Sequence, residues 1–296
     1  MMLKRFLAAT AAALSLSTSA CASIDTPPAG AVPGPALWQV ADKDTTIYLF
    51  GTVHALPQGK NWFDGRIERA FNASDELVTE IDMANAAASS GALQAASQLP
   101  AEQSLRALMS ADNRQQYEAA LVGLGLPVEA FDRYEPWFAA MTLSLMPLLR
   151  SGYDPQSGVE LSLGGRASTK TRSALETVEE QVALFDGLPQ EAQLEFLDET
   201  VEKIPEATTT LDAMVAEWLE GDAVGLANLL NAELTDPVLY DRLLTARNAN
   251  WAGWIENRLE RPGTVFIAVG AGHLAGKGSV QDQLKKRGLR VSRIWQ

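Results

Sequence analysis

The pattern of hydrophobic and polar positions predicts strands near both ends of the chain and helices between them. Near the start, the β-branched and aromatic runs Leu37–Val40 and Thr45–Phe50 flank a short turn-rich segment, which predicts a hairpin. Asp64 has the chemistry of a helix cap for a helix that runs to about Ala73. Glu76–Ile81 then predicts the next strand, so strand, helix and strand follow one another.

The rest of the chain is mostly helical before strands return at its end. The later elements are predicted as helices over about 84–156, a brief strand near 172–175, helices to about 219 and over about 239–259, a strand over 265–269, a helix over about 279–286 and a last strand over 289–294. Breaks in the first helical region are expected at its prolines: Pro100, Pro127, Pro136 and Pro147. No fixed-period repeat is present. The pattern favours an α/β (α+β) fold, in which a mixed central β-sheet is flanked by helices and a large helical insertion occupies the middle of the chain.

The N-terminal segment has the layout of a secretory signal. Lys4 and Arg5 precede an apolar stretch that is too short to span a membrane, and small residues follow it. We therefore predict a signal peptide over 1–21, a Pro/Gly-rich linker over 22–35 and one domain over 36–296. The segment fits cleavage by a signal peptidase, and it fits equally a lipoprotein signal that leaves Cys21 lipidated. The expected location is periplasmic or secreted, or tethered to a membrane through Cys21.

Composition narrows the available chemistry. The net charge of −13, from 24 basic and 37 acidic side chains, argues against a nucleic-acid partner because it repels phosphate backbones. A single cysteine excludes a disulfide framework or a cysteine-based zinc site within the chain. Only two histidines are present. Chemistry must therefore come from carboxylates, these two imidazoles, and hydroxyl or amide groups.

Both histidines occur in the same local context. His54 ends the run Gly51-Thr52-Val53-His54, and His273 ends Gly270-Ala271-Gly272-His273, so each is a Gly-x-x-His after an apolar strand. Ligands in open α/β sheets gather at the carboxyl ends of strands, and glycine allows the backbone to turn sharply there. The repeated context predicts that the two histidines share a site.

Glu80 belongs with the histidines. Its carboxylate interrupts an otherwise apolar strand, and a buried carboxylate must be neutralised, paired or bound to a metal. If the strands are neighbours in one parallel sheet, Glu80 faces both imidazoles. Two histidines and a carboxylate are the ligand set of many catalytic metal sites. Without a metal, the same trio provides a general base, an orienting acid and an electrophile, and the residues alone do not decide between these two.

Other candidate residues carry weaker signals. Arg247 lies in a predicted helix, where its side chain would either stabilise an oxyanion or form a salt bridge with an acidic residue. Glu176 follows the strand near 172–175, so it is another acid at a strand end. The segment Gly272–Gly278 departs from the phosphate-loop pattern at two positions. No Gly-x-Ser-x-Gly sequence is present, so serine catalysis of that kind has no evident machinery.

The ordered series of short motifs over 36–296 resembles the TraB/GumN family, which is related to the Tiki metalloproteases and more distantly to erythromycin esterase and the haem-binding ChaN proteins. The motifs are Ala36-Leu37-Trp38, Gly51–His54, Glu80, Leu175-Glu176-Thr177 with Gln181, Arg247-Asn248, and Gly270–Leu274. The resemblance implies that His54, Glu80 and His273 are active-site residues and that Arg247 corresponds to the arginine of the esterase relatives. One departure is Gly158-Val159-Glu160, where Gly-Val-Asp is expected, and it puts the role of that acid in doubt.

The resemblance favours an exported, metal-dependent hydrolase of the peptidase type. In this hypothesis His54, Glu80 and His273 bind Mn²⁺, Co²⁺ or Zn²⁺ and an activated water, and a peptide or small molecule of unknown identity is the substrate. Fold fixes activity only loosely, so two alternatives stay open. The chain could be a non-catalytic binding protein for haem or a small ligand, or an inert periplasmic scaffold whose helical region docks a partner.

Overall fold

A computed structural model describes residues 32–82, 90–233 and 236–295. The predicted signal peptide, Cys21 and most of the predicted linker lie outside the described residues. Residues 32–36 carry no regular secondary structure and lead into the first strand.

The strands are β1 Leu37–Ala41, β2 Thr45–Thr52, β3 Leu56–Pro57, β4 Glu76–Thr79, β5 Tyr153–Asp154, β6 Thr171–Ala174, β7 Gly263–Gly270 and β8 Val291–Arg293. The helices are α1 Gly65–Ala73, α2 Ser90–Ala96, α3 Leu105–Leu108, α4 Ala111–Gly123, α5 Pro136–Arg150, α6 Val159–Arg166, α7 Val178–Asp186, α8 Gln190–Lys203, α9 Ala207–Glu220, α10 Ala223–Glu233, α11 Pro237–Tyr240, α12 Ala246–Leu259 and α13 Val280–Lys286. A π-helical turn, Asp241–Thr245, joins α11 to α12, and a 3₁₀ turn, Ala271–Leu274, follows β7.

Six strands form one mixed sheet in the order β6-β4-β7-β2-β1-β8. Strands β6, β4, β7 and β2 run parallel to one another, whereas β1 runs antiparallel to both β2 and β8. The predicted α/β fold with a mixed sheet is confirmed. In the register, Thr52 pairs with Gly270 and Thr79 pairs with Ala268, so β2, β7 and β4 end at one edge of the sheet.

Helices cover both faces of this sheet because its central strands are apolar on both sides. Ile47 and Leu49 of β2 pack in a core with Trp251 and Ile255 of α12. Phe50 of the same strand faces a second core on the opposite side of the sheet, formed with α1, α6 and α9. Alternation along one strand therefore supplies both layers.

The helical insertion has a core of its own. Leu121, Leu143 and Leu197, from α4, α5 and α8, are fully buried together and have no strand in their cluster. This separate core allows the middle of the chain to fold as a helical layer attached to the sheet. Among the described residues, no helix combines the length and the apolar character needed to cross a bilayer.

The structure corrects several details of the sequence prediction. Helix α10 was not predicted. Helix α5 continues through Pro147, where a break was expected, because this proline lies in the last turn and its missing N–H costs a single hydrogen bond. Strand β4 ends at Thr79 rather than Ile81, so Glu80 follows the strand instead of lying within it. The two-residue strands β3 and β5 form a separate small sheet that the pattern did not indicate.

Candidate functional site

The candidate residues converge at the edge of the sheet where β4, β7 and β2 end. Glu80 comes directly after β4, His54 lies two residues after β2, and His273 lies in the 3₁₀ turn after β7. Gly270, at the end of the central strand β7, is their common neighbour. A Cβ atom at this glycine would lie 3.1 Å from Glu80 Oε1, 3.7 Å from His273 Cδ2 and 3.9 Å from His54 Nε2. The three side chains therefore surround one small space, which a side chain at position 270 would fill.

His273 is buried and its ring is held in one tautomer. Asn248 donates from Nδ2 to the Gly278 carbonyl at 2.9 Å, so its Oδ1 faces His273 Nδ1 at 2.6 Å. Because Oδ1 only accepts, the Nδ1 of His273 carries the proton. Its Nε2 accepts from Arg247 Nη1 at 3.0 Å, and the ring packs against Trp251 with centroids 4.2 Å apart. Burial, assisted by the Arg247 charge, lowers the pKa of His273 to about 3, so its imidazole is neutral.

Arg247 contacts most of the other side chains in the buried part of the site. It lies in the first turn of α12, directly after the π-helical turn, and its guanidinium stacks over the Trp251 ring at 4.8 Å. The guanidinium donates from Nε to Glu176 Oε1 at 2.8 Å and from Nη2 to Glu176 Oε2 at 2.8 Å, which is a bidentate ion pair. Nη2 also donates to Glu80 Oε2 at 2.7 Å. Two carboxylates and one arginine are thus fixed together behind the sheet edge.

Glu80 is ionised in this environment. Its Oε1 accepts from the Gly270 N–H at 2.7 Å, and its Oε2 accepts from Gln181 Nε2 at 3.0 Å as well as from Arg247. Burial by itself raises the pKa of the carboxyl, but His273, Arg247 and the Gly270 amide together lower it to about 2. The backbone N–H of Glu176 donates to the Glu80 carbonyl at 2.9 Å. Parallel pairing therefore continues past β4 and β6 and keeps the two glutamates side by side.

His54 forms the exposed part of the site. Its ring is 77% exposed, and Nδ1 lies 2.7 Å from Glu160 Oε1, which also accepts from the Thr52 hydroxyl. The hydrogen bond with Glu160 raises the pKa of His54 to about 9. Glu160 is brought there because the Val159 N–H donates to the Val53 carbonyl at 3.0 Å. Gly158 allows this approach, since a Cβ there would overlap the His54 carbonyl.

All four residues predicted for the site, His54, Glu80, His273 and Arg247, come together at this edge. Sequence reasoning left the acid at Glu160 without a role, and here it partners His54. It also gave no role to Asn248, which fixes the His273 tautomer, or to Trp251, which packs on both His273 and Arg247. Arg247 and Trp251 are four residues apart on one helix, and i and i+4 side chains share a face. This spacing was the sequence signal that could have placed Trp251 beside Arg247.

The donor set decides how well this site suits a metal ion. His54 Nε2, Glu80 Oε1 and the His273 ring border one space, and each histidine has a hydrogen-bonded Nδ1, as metal-binding histidines usually do. However, Arg247 takes the Nε2 lone pair of His273 and places a fixed positive charge there. Across residues 32–82, 90–233 and 236–295, no group of three or more His, Cys, Asp and Glu side chains is arranged to hold a metal ion. The residues as arranged do not fit the predicted metal centre.

The fold and the site define an α/β protein with a histidine, glutamate and arginine cluster at the carboxyl edge of its parallel strands. A sequence model of the TraB/PrgY/gumN family matches residues 36–293. The chain belongs to this family, as its motifs predicted.

Relatives with similar sequences carry little functional description. The chain is 25% identical to the uncharacterized protein YbaP of Escherichia coli (strain K12) over 245 residues, which cover 81% of this chain and 88% of YbaP. It is 23% identical to an uncharacterized protein of Treponema pallidum (strain Nichols), covering 85% of this chain and 80% of that protein. Similarity to Metalloprotease TIKI2 of Danio rerio is 26% identity over 82% of this chain and 57% of that protein. No solved structure gives a significant match.

Proposed function

We propose that this protein is an exported hydrolase that cleaves a peptide-type or related acyl bond at the site around Gly270. The observation that carries the proposal is the convergence of His54, Glu80 and His273 on that glycine. Similarity to a protein named Metalloprotease TIKI2 favours hydrolysis as the reaction class. Export rests on the N-terminal sequence pattern alone.

The exposed dyad of His54 and Glu160 is the reactive part of the site in this proposal. Glu160 holds the Nδ1–H of His54, so Nε2 is the nitrogen available to a water molecule or a substrate. A carboxylate that orients an imidazole in this way also stabilises the imidazolium that forms during catalysis. Nε2 borders the space beside Gly270, where the substrate carbonyl would lie.

Hydrolysis then needs two proton transfers through His54. The neutral ring removes a proton from water at Nε2 while the water oxygen bonds to the carbonyl carbon and the C=O electron pair moves to oxygen. The resulting imidazolium gives that proton to the leaving nitrogen or oxygen as its bond to carbon breaks. Because the resting pKa is about 9, the reactive neutral form becomes more abundant as the pH rises. Activity should therefore increase across the neutral range.

Metal dependence is the finer part of the sequence-based hypothesis, with Mn²⁺, Co²⁺ or Zn²⁺ on His54, Glu80 and His273. Its support is the similarity to TIKI2 and the resemblance of the motifs. Because Arg247 competes for the Nε2 lone pair of His273, the proton transfers proposed for His54 involve the protein's own groups only.

The test is an assay of the purified full-length protein on panels of peptides and of esters, with and without EDTA and with each metal added back. We expect hydrolysis that His54→Ala abolishes and that the exposed-residue control Lys60→Ala retains. Hydrolysis that survives chelation supports the dyad mechanism, and hydrolysis that requires an added ion supports the metal centre. Equal activity in His54→Ala and wild type would contradict the proposal. A haem titration followed by absorbance tests the ligand-binding alternative on the same sample.

A further inference from the structure

We propose that the Arg247 guanidinium occupies the place that a divalent cation would need beside Glu80 and His273, so that this chain carries a latent metal site closed by its own arginine. The inference rests on the site described above but not on the proposed reaction, since metal binding is measured without any substrate. A failure of one therefore leaves the other standing.

Arg247 contacts the same acceptor atoms that a metal ion would use. His273 presents Nε2 as its sole lone pair, because Asn248 fixes the proton on Nδ1. That lone pair accepts from Arg247 Nη1 at 3.0 Å. The neighbouring nitrogen Nη2 binds Glu80 Oε2 at 2.7 Å. One guanidinium thus bridges the carboxylate and the imidazole that a metal ion would have to bridge.

The Arg247 guanidinium is held firmly in this position. Arginine has five N–H donors, and the Arg247 guanidinium makes six acceptor contacts. Three go to Glu176 and one to Glu80. The remaining two go from Nη1 to His273 and to the Leu243 carbonyl at 3.0 Å. The side chain is 12% exposed and stacked on Trp251, so moving it aside would break several buried interactions at once.

The charge of Arg247 also disfavours a metal ion at this position. A permanently protonated guanidinium in contact with both candidate ligands repels a divalent cation in a poorly screened environment. Glu80 Oε1 and His54 Nε2 still border the space beside Gly270. Removing the arginine would therefore leave two imidazole nitrogens and a carboxylate around one space, which is a ligand set that Co²⁺ and Zn²⁺ accept.

The experiment is a Co²⁺ titration of the full-length protein, because cobalt bound by nitrogen and oxygen ligands gives visible absorption bands. Wild type and the charge-conserving control Arg247→Lys should bind Co²⁺ only weakly, and His273→Ala should not change the wild-type affinity. Arg247→Ala and the milder Arg247→Gln should bind Co²⁺ at least about 10-fold more tightly, the lower end of effects seen when groups around a metal site are altered. Adding His273→Ala to either variant should remove this gain.

Two results would overturn the inference. One is stoichiometric Co²⁺ binding by wild type that His273→Ala abolishes. The other is the absence of binding by Arg247→Ala and Arg247→Gln when circular dichroism shows that they are folded. If neither variant folds, ¹⁵N-histidine NMR of wild type during Zn²⁺ addition decides the matter. Unchanged His273 signals support the inference, and a shifted His273 Nε2 signal contradicts it.

Discussion

The two Gly-x-x-His loops begin from the same sequence pattern and end in opposite environments. The His54 loop leaves β2 toward solvent, and its imidazole is 77% exposed and paired with the Glu160 carboxylate. The His273 loop turns under α12, and its imidazole is 6% exposed between Asn248 and Arg247. One ring has its pKa raised to about 9 and the other has its pKa lowered to about 3.

The difference comes from the burial of each ring and from the charged partners that it meets. Burial and the Arg247 guanidinium on Nε2 favour the neutral form of His273, whereas the Glu160 carboxylate on Nδ1 favours the charged form of His54. Those partners come from distant parts of the chain: Glu160 from α6, and Arg247 from α12. A repeated motif thus supplies one reactive histidine and one that organises the buried cluster.

Activity should separate the two histidines most strongly. His54→Gln should lower kcat/KM for any substrate found by at least about 100-fold, because it removes the proton-transfer group. The melting temperature should stay within a few degrees of wild type, since the side chain is exposed. Steady-state kinetics and calorimetry on one sample measure both quantities. A variant with nearly full activity would remove His54 from the mechanism.

Stability should separate the two histidines in the reverse order, because replacing His273 should destabilise the fold more than replacing His54. His273→Ala leaves a buried arginine N–H and the Asn248 amide oxygen without a partner and creates a cavity. We expect it to lower the free energy of unfolding by about 2–4 kcal/mol. His54→Ala, as the matched control, should cost less than His273→Ala, because the His54 side chain is exposed and leaves no cavity. Urea denaturation gives both numbers, and a larger loss in His54→Ala would reverse our interpretation of the two loops.

Glu160 should account for the high pKa of His54. Glu160→Gln keeps a hydrogen-bond acceptor but removes the negative charge, so the His54 pKa should fall from about 9 toward the ordinary 6.5. The acid limb of the kcat/KM profile should move to lower pH with it. The exposed acid Glu102 provides a control, because Glu102→Gln changes net charge equally without touching His54. An unchanged His54 pKa in Glu160→Gln would mean that another group controls it.

The last prediction concerns the pH dependence of stability. His273 has a pKa of about 3 in the folded state and an ordinary value of 6.5 in the unfolded chain. The unfolded state therefore binds the extra proton first, and stability is lost as the pH falls from about 6.5 toward 3. The slope attributable to this group is about 1.4 kcal/mol per pH unit. Unfolding of His273→Gln, measured at several pH values, should lack this part of the slope, and identical slopes would contradict the assignment.

Much of the site was predictable because its residues follow strands. The apolar runs before His54, Glu80 and His273 place all three at carboxyl ends, and parallel strands bring those ends to one edge. What the pattern does not contain is the order of the strands. Strand β7, which is late in the chain, lies between β2 and β4, and this order is what makes Gly270 the common neighbour.

The electrostatics were not predictable, because they depend on contacts between distant segments. The His273 tautomer depends on the Gly278 carbonyl, which orients the Asn248 amide. The sequence hypothesis gave both histidines to one metal ion, since nothing local to either motif indicates that Arg247 will take the lone pair of His273. Helix α10 was missed in the same way, because its helical character depends on packing against α9 and the turn after β7.

The most direct test of the central claim is ¹⁵N-histidine NMR of the purified protein, titrated from pH 5 to pH 10. With only two histidines in the chain, each ring gives its own resolved set of signals. We predict that one ring, lost in His54→Gln, is an imidazolium at neutral pH and titrates near pH 9. The other, lost in His273→Ala, should remain neutral with its proton on Nδ1 throughout. Two rings that titrate together near pH 6.5, or a His273 ring protonated on Nε2, would contradict the account.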